Sequence, residues 1–245
     1  MPKWIAAVSG KGGTGKSTVS AGLSRALARL GYRVLIMDLD VGLRSQDLLL
    51  GLENRVVCDL GDVLHGRRPV ADALVPVDAC PGMSLLCGPS SHEDTADFRQ
   101  LCAALREAAA QFDYVVLDLP AGLGLSVELT LELADLAAVV TLPDLVAMRD
   151  ARTAADALLE RGSTACRLII NQVSRDSLRT GGLRDLDELM DGVGIQLCGV
   201  IPWDPCINSH SASRREQQQP LTRRVFDAIA QRVIGKYVPI LMKSV

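Results

Sequence analysis

The sequence predicts an α/β chain with a doubly wound, mostly parallel sheet and helices on both faces. Two observations carry that prediction. Short apolar, β-branched runs alternate with longer helical patterns from end to end, the signature of repeated βαβ units. The runs are also continuously apolar, as strands buried on both faces require. Composition permits the fold: 245 residues, 48% hydrophobic and 22% charged, can close a sizeable core and do not describe a disordered chain.

In chain order, residues 4–9 read as a first strand. Residues 16–30 read as a helix, because Val19, Leu23, Leu27 and Leu30 recur at helical spacing and Gly31 follows. Strands follow at 33–38 and 83–87. Residues 94–112 form an amphipathic helix with Phe98, Leu101, Leu105 and Ala109 on one face. The remaining strands are 114–118, 136–142, 167–171 and 198–201. The remaining helices are 126–134, 144–161, 183–190 and 220–234. We find no linker, repeat or low-complexity block, so residues 1–245 are expected to form one domain, with 236–245 a short C-terminal tail. Residues 208–219 are the most polar stretch and are expected to be a solvated loop and helix start.

Charge and cysteine usage exclude several functions. With 26 basic against 29 acidic residues the net charge is −3, so there is no global basic excess to grip nucleic acid. The seven cysteines have no CxxC spacing and mostly lie in apolar runs, which implies reduced, buried thiols. Only three histidines are present and no zinc-ligand spacing occurs. No signal peptide opens the chain, and no apolar stretch approaches the ~20 residues that span a bilayer. A reducing cytoplasm is the expected compartment.

One loop carries the chemistry. Gly10, Lys11, Gly12, Gly13, Thr14, Gly15, Lys16 and Ser17 fit GxxxxGK[ST] in full, between a predicted strand and a predicted helix. Glycines let the backbone approach phosphates, and successive N–H groups make an anion nest at the helix start. Lys16 supplies positive charge to the β and γ phosphates, and Ser17 a hydroxyl for Mg²⁺. The expected ligand is ATP or ADP with Mg²⁺, held from Gly10 to Thr18 on a P-loop NTPase fold. Asp118 follows the apolar strand YVVL, the Walker B arrangement that delivers a carboxylate to the metal shell. Asp40 lies just past the second strand, where a carboxylate can accept a hydrogen bond from water.

The second lysine of the loop, Lys11, together with the rest of the chain, resembles the deviant Walker A ATPases, the MinD/ParA group. Residues 37–64 resemble the septum-site-determining branch of that group. The likeness continues in VVLDLPAG (115–122), LPDLVAMRDA (142–151), IINQ (169–172) and GVIP (199–202), and so covers nearly the whole chain. The resemblance implies a homodimer when ATP is bound, with Lys11 crossing to the partner's phosphates. It implies that Asp40 positions the attacking water beside Mg²⁺, and that Asp150 pairs with Lys11 in the nucleotide-free state. It also implies that Asn171 contacts adenine and that Pro202 begins the other wall of the base pocket. Hydrolysis would be slow and stimulated by a partner, and MinC-like and MinE-like proteins are the implied partners.

The resemblance has departures. Thr14 stands where valine is usual, Gly124 where a glutamate is common, and Trp203 where an acidic residue is common. The family's membrane-inserting C-terminal helix is replaced by KYVPILMKSV, in which Pro239 disfavours a helix. Contact with the inner face of the cell membrane is therefore expected to be weak: the chain either lacks the usual anchor or is shortened. Asp38 is expected as a metal-shell residue, as a lysine-pairing residue, or as a strand-end cap of the next turn. Rival readings are a flagellar-number (FlhG-type) or DNA-partition (ParA-type) ATPase, a nucleotide-binding scaffold without meaningful turnover, and a metabolic P-loop kinase, for which no substrate lid is visible.

Overall fold

The computed structural model describes residues 1–41, 45–90, 97–162, 165–207 and 220–240. The elements run β1 Lys3–Val8, α1 Lys16–Arg29, β2 Val34–Asp38, α2 Gln46–Leu50, α3 Leu60–Leu64, a 3₁₀ turn Val70–Ala73, β3 Leu74–Pro76, β4 Met83–Cys87, α4 Phe98–Ala109 and β5 Tyr114–Asp118. They continue α5 Leu125–Leu133, β6 Leu136–Thr141, α6 Leu145–Arg161, β7 Ala165–Val173, α7 Arg175–Thr180, α8 Leu186–Val193, β8 Leu197–Pro202 and α9 Pro220–Val233.

One eight-stranded sheet has the order β3-β4-β2-β5-β1-β6-β7-β8. Every pairing is parallel except β3 with β4. β1 lies between β5 and β6. From β1 the chain builds β2, β4 and β5 on one side, then crosses to β6, β7 and β8 on the other. The order therefore reverses beside β1, and ligands of open α/β sheets bind at the carboxyl ends of strands at such a reversal.

Alternation along each strand feeds two core layers. Trp4, Ala6 and Val8 of β1, with Val115 and Leu117 of β5, pack against α4, α5 and α6. Ile5, Tyr114 and Val116 face the opposite way, onto α1 and α9. Both faces are buried, which is why the strands read as continuous apolar runs.

The periodic elements agree with the sequence to within a few residues, and the caps explain the differences. The Asp97 carboxylate accepts from the Gln100 N–H at 2.9 Å, so α4 begins at Phe98. Residues 94–96 of the expected helix lie outside the described residues, as do 208–219 and 241–245. Asp185 caps α8 by accepting from the Glu188 N–H at 2.9 Å, which moves that helix three residues beyond the expected start at 183. β7 extends past the expected 167–171 at both ends. The elements α2, α3, β3 and α7 were not foreseen. Each has three to six residues, too few to show a period. β3 ends in Pro76, as befits an edge strand that donates few ladder bonds.

All seven cysteines are free, five of them buried, as the sequence implied. No helix among the described residues is long and apolar enough to cross a membrane. The start of the tail is held rather than loose: Arg232 donates to the carbonyls of Cys198, Val238 and Pro239.

Helices α1 and α9 meet at Gly22. A Cβ built there would lie 2.4 Å from the Phe226 ring, itself 2% exposed. Phe226 is wedged in the core and has no room to retreat. Gly22→Ala is therefore expected to destabilise the fold by about 1–3 kcal/mol through overpacking, read as a lower urea midpoint at unchanged m-value.

Candidate functional site

The residues singled out from sequence converge at the carboxyl ends of the parallel strands. β1 delivers the loop 10–15, β2 delivers Asp38 and Asp40, β5 delivers Asp118, β7 delivers Asn171 and β8 delivers Pro202. β6 leads directly into Asp144 at the head of α6.

The loop's shape is imposed by close packing. A Cβ on Gly10 would sit 2.3 Å from the Asp150 carbonyl oxygen, so only glycine lets β1 turn under α6. Gly15 caps α1 with φ 87°, a left-handed conformation that favours glycine, and a Cβ there would lie 2.2 Å from the Asn171 amide nitrogen. That amide donates to the Thr14 carbonyl at 2.9 Å. Asn171 is buried and pins the loop from below, a role sequence reasoning did not assign to it. No side chain caps α1, which leaves its first N–H groups directed at the loop's mouth. The Ser9 hydroxyl donates to the Lys11 carbonyl at 2.7 Å, and the Gly122 N–H to the Ser9 carbonyl at 3.3 Å. The turn of Pro120, Ala121 and Gly122 is thereby tied to the loop.

Asp38 and Asp118 are partners in the β2–β5 register and are both 1% exposed. Asp38 closes the segment after β2. Its carboxylate accepts from the N–H groups of Asp40 (3.2 Å), Ser45 (2.9 Å) and Gln46 (2.9 Å). These bonds are those of the strand-end cap expected for Asp38. Residues 42–44 lie outside the described residues, so the segment is seen at its two ends. Asp118 accepts from the Ser20 hydroxyl at 3.3 Å and from the Gln46 side-chain amide at 2.8 Å. Burial, then the charge of Asp38, push the Asp118 carboxyl up to about 7, against hydrogen bonds from Gln46 and Ser17 and the charge of Lys16. Burial likewise raises Asp38, against its three backbone donors. Lys16 is only 8% exposed, and burial lowers its ammonium, opposed by the charges of Asp118 and Asp40.

Lys11 lies at the rim. Its Nζ is 3.6 Å from Asp144 Oδ1, both side chains being about one-third exposed. This corrects the expected pairing with Asp150, whose backbone carbonyl and Cβ lie behind Gly10. Asp144 also caps α6, accepting from the Ala147 N–H at 2.7 Å, so one carboxylate serves the helix and the lysine. An ion pair this exposed contributes roughly 0–1 kcal/mol and is easily exchanged for another partner. Leu145 and Val146 beside it are 44% and 63% exposed, and Leu123 and Leu125, just past the turn of Pro120, are 36% and 40% exposed.

Thr18, Asn171, Pro202, Trp203, Asp204 and Ile207 line a small cleft beside the loop. The expected base-pocket pair, Asn171 and Pro202, is thus brought together. Trp203 is 57% exposed on its wall, and Gln172 has φ 57° there, the sole positive-φ residue besides glycine among the described residues. Sequence reasoning missed Gln46 and Asp144. Asp144 read as a helix start, and Gln46 gave no signal, because its partners are 29 and 72 residues away.

Among the described residues no group of three or more His, Cys, Asp or Glu is arranged to hold a metal alone. The donor set fits a Mg²⁺ that arrives with phosphate and water ligands: the Ser17 hydroxyl, Asp118 and Asp40, all oxygen donors. Buried side-chain oxygens without a partner among the described residues collect here too, at Thr14, Ser45 and Gln46.

Comparison with known proteins agrees with this geometry. Residues 5–217 match the family described as the CobQ/CobB/MinD/ParA nucleotide binding domain. The septum site-determining protein MinD of Bacillus subtilis (strain 168) is 35% identical over 246 residues, covering 98% of this chain and 92% of that protein. Among solved structures, the MinC:MinD cell division complex of Aquifex aeolicus superposes with a TM-score of 0.82 at 30% identity, covering 98% of each chain. MinD of Pyrococcus horikoshii complexed with Mg-ADP superposes equally well, at 0.82 and 28% identity, over 96% of this chain and 97% of that one.

The Asp118 environment has a consequence for stability. Its folded-state value lies above that of an ordinary aspartate, so between pH ~4 and about 7 this carboxyl holds its proton in the folded chain and loses it in the unfolded one. Stability of the nucleotide-free protein in chelator should therefore fall as pH rises through that window. Asp118→Asn, which cannot ionise, should flatten the fall. Urea unfolding across pH checks both.

Proposed function

Because the chain belongs to the MinD/ParA family of nucleotide-binding proteins, we propose that it is a MinD-like ATPase of division-site placement. It dimerises on binding ATP with Mg²⁺ and separates on hydrolysis. The observation that carries the reading is the pair of lysines in one loop. Lys16 is buried where phosphates would lie, while Lys11 sits at the rim on a weak, replaceable ion pair. The exposed leucines and valine around Lys11 give a second copy an apolar surface to meet. The relatives described above are septum-site proteins, which favours this role over DNA partition or flagellar number.

In this reading the loop N–H groups and Lys16 bind the phosphates. Ser17, Asp118 and Asp40 would hold Mg²⁺, which when bound neutralises charge on the β and γ phosphate oxygens. Asp40 accepts a hydrogen bond from the attacking water and orients it. Lys11 exchanges Asp144 for the partner copy's phosphates. The turn at Gly122, bonded to Ser9, relays loss of the γ-phosphate to α5. With the γ-phosphate gone, the two copies lose the contacts that distinguish the ATP state, and the dimer parts. The base lies between Asn171 and Pro202. One structural neighbour is a MinC:MinD complex, and MinC-like and MinE-like proteins are the partners we infer. The site of action is the cytoplasm, with weak contact at the inner face of the membrane.

Light scattering after size-exclusion chromatography tests the reading. Asp40→Ala, which slows turnover, should be dimeric with ATP and Mg²⁺ and monomeric with ADP. Lys11→Ala should bind ATP yet stay monomeric. An Asp40→Ala protein that binds ATP and remains monomeric would remove the dimer switch and favour a scaffold.

A further inference from the structure

Gln46 is 0% exposed, at the first turn of α2, and bonds to three separate parts of the site. Its backbone N–H donates to Asp38 at the end of β2. Its side-chain amide donates to the Ser17 carbonyl at 2.9 Å and to Asp118 Oδ2 at 2.8 Å. The amide's orientation is fixed by these partners, since a carbonyl and a carboxylate facing it both need its NH₂ group. Oε1, on the same amide carbon, is buried and has no partner among the described residues.

A glutamine kept for packing alone does not require an orphaned oxygen, because an apolar side chain of the same length fills the space without burying an acceptor. The oxygen is explained if a donor arrives with the ligand. A metal's water ligands bring O–H donors into the space around Ser17 and Asp118, and a phosphate brings acceptors only. The same residue is linked through its backbone to the segment carrying Asp40, because the Asp38 carboxylate accepts from the N–H groups of both Asp40 and Gln46.

We infer that Gln46 is a positioning residue of the metal shell: its NH₂ group holds Asp118 against the Ser17 turn, and its oxygen accepts from a water that the metal brings. It thereby ties metal occupancy to the segment carrying Asp40. This rests on the magnesium-nucleotide reading above. The role is that of an outer-shell partner, whose loss in metal sites typically lowers metal affinity 10–100-fold.

The test is calorimetric titration of ADP into the full chain, once with Mg²⁺ and once in chelator. The parent should bind ADP more tightly with Mg²⁺. Gln46→Met keeps the length and loses the hydrogen bonds. It should lose at least about tenfold of that magnesium-dependent gain while keeping the parent's affinity in chelator. Gln46→Asn keeps the amide but is a methylene too short to span both acceptors, and should lose the gain as well. It also serves if Gln46→Met does not fold, which thermal unfolding in chelator reports. A variant whose gain equals the parent's overturns the inference, and so does one that weakens equally with and without Mg²⁺, since that marks a structural role. A parent with no gain removes the magnesium site itself, a failure distinct from the other two.

Discussion

Asp38 and Asp118 stand side by side because their strands are adjacent in register, and the sheet gives neither carboxylate access to water. Two buried acids on neighbouring strands repel, and the nearby cation, Lys16, is itself held at a burial cost. Much of the local architecture answers this constraint. Asp38 takes three backbone N–H groups, enough to close the segment after β2, and Asp118 takes the Gln46 amide and the Ser20 hydroxyl. What remains is an excess of negative charge and unpartnered oxygen beside a glycine loop. A divalent cation arriving with a polyphosphate would relieve it.

The loop's stiffness and the rim's looseness divide the labour. Gly10 against the Asp150 carbonyl and Gly15 against Asn171 fix the backbone from two sides. Among the described residues the Lys11 ammonium is paired with Asp144 alone, across a partly exposed 3.6 Å gap. A fixed cradle and a replaceable rim contact are what a switch needs: the first makes binding specific, and the second lets a bound nucleotide redirect a charge toward another molecule.

The glycine loop, Asp40, Asp118 and the central strands were legible in the sequence because each depends on a local pattern: fixed spacing, an apolar run, or a carboxylate at its end. Asn171 and Pro202, read as neighbours from the sequence, do line one cleft, but the bond from Asn171 to Thr14 spans 157 positions and no local pattern announces it. The partner of Lys11 was misassigned between two acids six residues apart on one helix. Asp150 is packed against Gly10, and Asp144, which caps the same helix, is the acid that faces the lysine. Gln46 was invisible for the same reason. Short elements such as α2 and β3 show no period, and what they position is set by the sheet order.

Amide hydrogen exchange measured with and without ATP and Mg²⁺ tests most directly whether these parts act as one site. The account predicts slowed exchange together in the loop 10–18, the segment 38–48 and the turn 118–122, with little change at the opposite ends of the strands. Protection confined to 10–18, or absent, would contradict it, because the carboxylate segments would then not belong to the nucleotide site.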